Sequence, residues 1–393
     1  MSEPSRLLDR LSKARPFWWN LFFLMAVSGC TQESHPPLPR PFSPDAQYRV
    51  GPNPSFVALG DLNGDGLLDM VSVNSGGDSI SILFGNGDGS FKDPIAFQVG
   101  RQPRSLVITD LNGDAKPDIV VVNNDGDSLS LLMGGEKGAF LPPVEVPIGR
   151  SPFYAVAGDF NGDGKIDLAL VLRFDLLQLL WGRGDGSFDK GEPIDPGDTP
   201  TWIVAEDFNG DKKIDLAVAN NGPMSDNFVM FLGDGRGHFR PGEKYPTRMR
   251  PFFLTAADFN RDGKLDIVVG NSTRNTLSMF FGRGDGTFKK GPEFGAEGGP
   301  VSAVAADFNG DGLIDLAVAN NLSNEVSLLM GKGDGTFYYP PTNMKTGLSP
   351  FSVAAGDLNR DGKMDLVVAN NGSSMLSVLL SKPLERSAAK VPD

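Results

Sequence analysis

The chain has 393 residues, and its 49 Asp and Glu against 36 Lys and Arg leave a formal charge of −13. A balance this acidic argues against nucleic acid as a partner. The length is large for one compact core, and 49 Gly with 30 Pro suit many short strands joined by tight turns, so the core is expected to be added unit by unit.

Residues 1–29 stand apart. Arg6, Arg10, Lys13 and Arg15 make a basic start, residues 17–27 are apolar but for one Asn, and Val-Ser-Gly-Cys follows. The layout is that of a secretory signal, and the apolar run is too short to span a bilayer in the usual way. Val-Ser-Gly-Cys resembles a bacterial lipobox. The resemblance implies that residues 1–29 are a lipoprotein signal peptide. Cys30, the only cysteine, would then carry the lipid that tethers the exported protein to the membrane of the bacterial cell envelope, at the outer membrane or cell surface. A single cysteine leaves no disulfide to hold the mature fold. Residues 30–41 are Pro-rich and read as a semi-rigid tether.

From there the chain repeats. Seven nine-residue stretches start 48 to 51 residues apart: DLNGDGLLD at Asp61, DLNGDAKPD at Asp110, DFNGDGKID at Asp159, DFNGDKKID at Asp207, DFNRDGKLD at Asp258, DFNGDGLID at Asp307 and DLNRDGKMD at Asp357. A period near 50 marks a solenoid, a propeller or an array. Within residues 153–202, FYAVAGD leads into the stretch, DLALVLR follows it, LLQLLWG comes next, and EPIDPGDTP trails the turn RGDGSF. Four short strands joined by turns make one blade of a β-propeller.

The two ends of the repeat array fit each other. Six repeats carry a G-x-G-D-G-x-F-like turn ending at Phe91, Phe140, Phe188, Phe239, Phe288 or Phe337, while the seventh stops after its third strand, at LSVLLSKP. Phe42 lies 19 residues before Asp61 and heads FSPDAQYRVGPNP, which matches outer-strand segments such as FKDPIAFQVGRQP. A propeller must close or leave an open edge. The expected fold is therefore all-β: a seven-bladed β-propeller of four-stranded blades over residues 42–383, the last blade completed by the N-terminal strand, with residues 384–393 a polar C-terminal tail.

The stretches place carboxylates at positions 1, 5 and 9, an amide oxygen at 3 and a backbone carbonyl at 7. An all-oxygen set suits Ca²⁺ rather than zinc or copper. It assigns up to seven calcium ions: to Asp61, Asn63, Asp65, Leu67 and Asp69; to Asp110, Asn112, Asp114, Lys116 and Asp118; to Asp159, Asn161, Asp163, Lys165 and Asp167; to Asp207, Asn209, Asp211, Lys213 and Asp215; to Asp258, Asn260, Asp262, Lys264 and Asp266; to Asp307, Asn309, Asp311, Leu313 and Asp315; and to Asp357, Asn359, Asp361, Lys363 and Asp365. The position-7 side chains are expected to be free, and the apolar residue at position 8 to be a peg into the blade. Position 6 calls for φ > 0, which glycine adopts without cost. Ala115 and Lys212 stand there in the loops at Asp110 and Asp207, which are therefore expected to fill last.

D-x-N-x-D-G-x-x-D followed by an apolar strand resembles the FG-GAP-like (VCBS-type) repeat, the blade of integrin α-subunit propellers and of related bacterial proteins. The resemblance covers residues 42 to about 383 and implies both the propeller and the calcium. It leaves function open, because such propellers include adhesion receptors, fungal lectins and some polysaccharide lyases.

In a four-stranded blade the calcium loops and the G-x-G-D-G-x-F turns share one face, and the second-to-third turns and the crossovers between blades share the other. The latter vary more in sequence, which is the usual sign of a recognition surface. Arg101, Arg104, Arg150, Arg248 and Arg250 lie there, beside aromatics that include Tyr154 and Trp202, a set suited to a carbohydrate or protein ligand on the face opposite the calcium loops. The two histidines, His35 and His238, a missing G-x-S-x-G elbow and a missing phosphate loop give catalysis no foothold. The reading is a binding, adhesion or assembly module rather than an enzyme, the alternative being a propeller-scaffold polysaccharide lyase or hydrolase. The two RGD triplets, at Arg183 and Arg283, fall in the repeated turn. The sequons at Asn271, Asn321 and Asn371 fall at hairpins, and both features read as turn chemistry.

Overall fold

A computed structural model describes residues 42–381 except 175, 223–225 and 248–249. The signal segment, Cys30, the tether, the C-terminal tail and Arg248 lie outside the described residues. Seven four-stranded antiparallel sheets make up the described chain, and blades are counted here from the one that begins at Pro54.

Every inner strand opens on proline: Pro54–Gly60, Pro103–Thr109, Pro152–Gly158, Pro200–Glu206, Pro251–Ala257, Pro300–Ala306 and Pro350–Gly356. Proline has no N–H to give the ladder, so the first residue of a strand is where it is tolerated. In all seven blades the register shifts just after it. Each inner strand packs against the inner strands of the two neighbouring blades, the first against the seventh included, so the ring is closed around a central channel.

The second strands, from Asp69–Asn74 in the first blade to Asp365–Asn370 in the seventh, are buried at every residue. Sequences such as DIVVVN and DLVVAN are apolar without alternation because both faces of the strand are covered, one by each neighbouring blade. The outer strands, such as Ile95–Gln98 and Thr342–Lys345, are largely exposed. The core is thus a set of wedges between blades.

The seventh blade runs Phe42–Arg49, Met375–Ser381, Asp365–Asn370, Pro350–Gly356 from outside to inside. Phe42 pairs with Ser381 and Arg49 with Met375. Phe42 also meets Phe308 of the sixth blade edge-on at 6.2 Å, and the Tyr48 hydroxyl oxygen accepts the Phe91 N–H of the first blade at 3.0 Å. The N-terminal strand therefore binds its own blade and both neighbours.

Deleting residues 42–50 should destabilise the protein far more than deleting residues 385–393. The first deletion exposes the apolar partners of Phe42, Tyr48 and Val50, each contributing about 1.5–3 kcal/mol of burial, and opens a sheet edge. Thermal melts of the two truncations measure this, and equal melting temperatures would be incompatible with closure by that strand.

Candidate metal loops and the aromatic end of the channel

Each D-x-N-x-D stretch is a loop wound onto its own backbone N–H groups. In the third blade Asp159 accepts the N–H of Gly162 (2.7 Å), Asp163 (3.1 Å) and Gly164 (2.9 Å). Asn161 Oδ1 accepts the N–H of Asp163 at 2.9 Å, and Asp163 accepts that of Lys165 at 2.9 Å. Among the described residues no three carboxylates or imidazoles close into a group tight enough to enclose a metal ion. The residues present nevertheless fit a hard cation by their chemistry, since the side-chain donors at positions 1, 3 and 5 are acceptor oxygens with lone pairs beyond those that the N–H groups use.

Position 9 has a role that its spacing does not reveal. Asp69, Asp118, Asp167, Asp215, Asp266, Asp315 and Asp365 are fully buried. One oxygen of each accepts the N–H of position 2 in its own loop, at 2.9 to 3.2 Å. The other accepts the N–H of the residue at the end of the third strand, Gly85 in the first blade and Ser381 in the seventh, at 2.7 to 2.9 Å. Burial pushes these carboxyls above the usual range, to about 6 at Asp215, Asp266 and Asp365 and about 7 at Asp315. The two N–H donors oppose the shift, and the carboxylates at positions 5 and 1 add to it. That repulsion is the electrostatic mark of a place where a cation would be welcome.

Three expectations about the loops change. Position 2 is the deeper peg: Leu62, Leu111, Phe160, Phe208, Phe259, Phe308 and Leu358 are each at most 4% exposed, while at position 8 Leu68, Ile166, Ile214, Leu265 and Ile314 pack half-buried against the core and Met364 is 38% exposed. The position-7 lysines are not free. Lys116, Lys165, Lys213, Lys264 and Lys363 reach back to the position-5 carboxylate at 3.2 to 3.9 Å. Position 4 is left-handed as well as position 6. Ala115 (φ 63°) and Lys212 (φ 65°) take the strained conformation at position 6, and Arg261 and Arg360 (both φ 61°) take it at position 4. Only the loops at Asp61, Asp159 and Asp307 have glycine at both places.

At the opposite face the inner strands bring aromatic side chains together at the end of the channel. Tyr154 stacks on Trp202 with centroids 4.1 Å apart. Phe56 meets Tyr154 edge-on at 5.8 Å, and Phe252 meets Phe351 at 5.9 Å. Arg104 lies over the Phe153 ring at 5.7 Å and its Nε is buried without a hydrogen-bond partner. Arg173 lies over the same ring at 5.5 Å, a residue that sequence reasoning missed although the third repeat reads Leu-Arg where the other repeats have Asn-Asn or Asn-Ser. Arg104, Tyr154 and Trp202 thus share one site. Arg101, Arg150 and Arg250 are exposed on the crossovers outside it, and Arg101 donates to the Asp125 carbonyl at 2.8 Å. Phe253 is fully buried behind Trp202.

The varied hairpins on this face share a structural task. Asp78, Asp127, Asp226, Asn275 and Asn324 each accept a crossover N–H at 2.7 to 3.2 Å. Asn271 is fully buried, and Asn321 and Asn371 donate to the carbonyls of Pro350 and Pro54 in the next blade. In the RGD turns, Asp185 and Asp285 hold the N–H and hydroxyl of Ser187 and Thr287. Inside the ring a cavity of about 440 Å³ is lined mostly by small aliphatic residues, with Glu206 as its acidic group.

Residues 61–121, 110–170, 207–269, 258–318 and 307–368 match the model of the FG-GAP-like repeat. Nothing among curated proteins matches the chain. Among solved structures, BBS1N in complex with ARL6DN superposes with a TM-score of 0.62 at 13% identity, over 88% of this chain and 97% of that one. A candidate 6-phosphogluconolactonase from Bacteroides fragilis gives 0.59 at 18% identity, over 76% and 86%. A functionally unknown protein from Desulfotomaculum acetoxidans gives 0.56 at 14%, over 82% and 90%. At these identities the likeness is one of fold.

The buried carboxyls set a pH dependence. Their folded values lie above the unfolded value of 3.8, so protonation favours the folded state. That stability is complete below about pH 4 and is lost as the pH rises through 6 to 7. The turn carboxylates Asp88, Asp185, Asp285 and Asp334 shift the other way, through hydrogen bonds from Ser or Thr, and resist acid only at lower pH. In the presence of chelator the melting temperature should therefore rise as the pH is lowered from 8 to 5. A melt that is flat or falls over that interval contradicts the placement of these groups.

Proposed function

The chain belongs to the FG-GAP-like repeat family, and on that premise we propose that it is a calcium-stabilised binding or scaffold propeller, lipid-anchored through Cys30 at the bacterial cell envelope. The proposed ligand is a carbohydrate or protein held at the crossover face. The observation that carries the ligand reading is the aromatic end of the channel, where Arg104 keeps a buried, unpaired Nε beside Arg173 and the Tyr154–Trp202 stack. A buried donor without a partner is costly, and an oxyanion or carbonyl from a ligand would satisfy it. BBS1N, similar in fold, is seen bound to ARL6DN, a precedent for a protein held by such a ring. Screening the full-length protein in detergent against glycan and peptide arrays tests the reading. Arg104→Ala and Trp202→Ala should each weaken the captured ligand tenfold or more, and binding unaffected by either would place recognition elsewhere.

The calcium would be held by the oxygens at positions 1, 3, 5, 7 and 9, where it would neutralise the carboxylates that repel one another. Binding to the folded chain alone stabilises it by mass action. The loops at Asp61, Asp159 and Asp307 have no left-handed side chain to strain them and should fill first, and those at Asp110 and Asp207 last. Calcium should raise the melting temperature of the chelated protein, most at pH 8. Asp163→Ala should reduce that rise more than Asp211→Ala. A melt insensitive to calcium at pH 8 would remove the ion from the account.

A further inference from the structure

The fourth blade departs from the repeat at two places and puts a cation at both, whereas the second blade, which departs at the same two places, has a cation only in the turn (Lys137) and Ala115 in the loop. In the first, third, fifth and sixth blades the G-x-G-D-G-x-F turn carries an Asp that accepts the N–H and hydroxyl of the Ser or Thr two residues on. In the fourth the turn reads GDGRGHF, and Arg236 stands at the place of that Asp. The carboxylate has moved to Asp234, which accepts the N–H of Arg236 at 2.8 Å and of His238 at 3.1 Å. The second departure is Lys212, strained at φ 65° where five loops have glycine. A non-glycine residue there is strained, as Ala115 is in the second blade, but at this position Lys212 alone combines that strain with a charge.

Both cations line one cavity of about 680 Å³. Its carboxylates are turned to their own loops, Asp159 accepting three loop N–H groups and Asp234 accepting two N–H groups of the turn. Lys213 is paired with Asp211 at 3.5 Å, but Lys212 and Arg236 have no carboxylate partner among the described residues. Arg236 also lines an adjoining cavity of about 500 Å³ that includes Trp181 and Phe239, with Glu192, Asn161 and His238 among its polar groups.

We propose that these joined cavities, between the third and fourth blades on the metal-loop face, bind an acidic saccharide. Its carboxylate or sulfate lies between Lys212 and Arg236, and the adjoining sugar ring lies along Trp181 and Phe239. Guanidinium receives an oxyanion through two parallel hydrogen bonds, and the ammonium adds a point charge. An apolar lining with a few polar groups is the usual make-up of a small-molecule site. Here those groups both donate (Arg236) and accept (Glu192), as the hydroxyls of a sugar ring require. The site is separate from the aromatic end of the channel and does not rest on the reading of that face.

Titration of the full-length protein with a galacturonate hexamer and a heparin hexasaccharide tests the proposal, with cellohexaose and a hexaglutamate peptide as comparators. Lys212→Gly with Arg236→Asp restores the repeat's own residues, and Lys212→Gly alone should raise the melting temperature, so lost binding in that single variant is not lost folding. The expected result is binding of at least one acidic hexamer that weakens with salt, falls threefold or more in Lys212→Gly and at least tenfold in the double variant, and is unchanged in Trp202→Ala. Failure of both acidic hexamers to bind, equal affinity in the double variant, or equal binding of cellohexaose or hexaglutamate would overturn it.

Discussion

The rest of the propeller depends on one buried carboxylate per blade. The position-9 aspartate ties the start of its loop to the end of the third strand through two backbone N–H groups that have no water to turn to. Removing the side chain would leave both donors unpaired, at roughly 1–3 kcal/mol for each. Keeping it means burying a charge close to two others, and the upward shift of these carboxyls is the measure of that conflict. The blade resolves it in part by donors on both oxygens. A proton at low pH, or a cation in the loop, would resolve the remainder.

The same nine residues also join blade to blade. The position-2 side chain leaves the loop and packs against the phenylalanine of the next blade's turn: Phe160 on Phe239 at 6.0 Å, Phe208 on Phe288 at 5.7 Å, Phe259 on Phe337 at 5.8 Å. Its carbonyl accepts the N–H of that turn's last glycine, as Phe160 does from Gly237 at 3.1 Å. A side chain at Gly237 would also meet the Trp181 ring of the preceding blade at 2.9 Å, so the turn glycine is required by its φ of 86° and by the neighbour alike. Position 9 therefore secures the blade and position 2 the ring. A change to the loop is felt in two blades at once.

The period and the phase of the two chain ends made the architecture legible, because a missing outer strand at one end and a spare one at the other admit a single closure. Less of the loop could be read. Positions 2 and 8 are both apolar, and only the path of the chain decides which is buried more deeply. The left-handed turn at position 4 is hidden by Arg261 and Arg360, which take a glycine's conformation without being glycine. The lysines at position 7 look solvated in a linear reading, yet their nearest anion is two residues away. Variation in the crossover hairpins suggested recognition, but a capping role that Asp and Asn fill equally well accounts for much of it.

A ring of near-identical blades offers a ligand seven near-identical places, so specificity has to come from where the blades differ. The differences gather in the third and fourth. Leu172 and Arg173 replace the usual Asn pair, and Tyr154 and Trp202 put the largest rings at the end of the channel. Glu206 brings a carboxylate to a strand end where the other blades have Gly, Ala or Thr, and burial raises its pKa. Lys212 and Arg236 reverse the charge on the loop face. Lys212 is unfavourable for the blade itself through strain, and Glu206 through a carboxylate that burial penalises. Such departures lie over the same pair of blades on both faces of the molecule, and they are where the two proposed sites take their character.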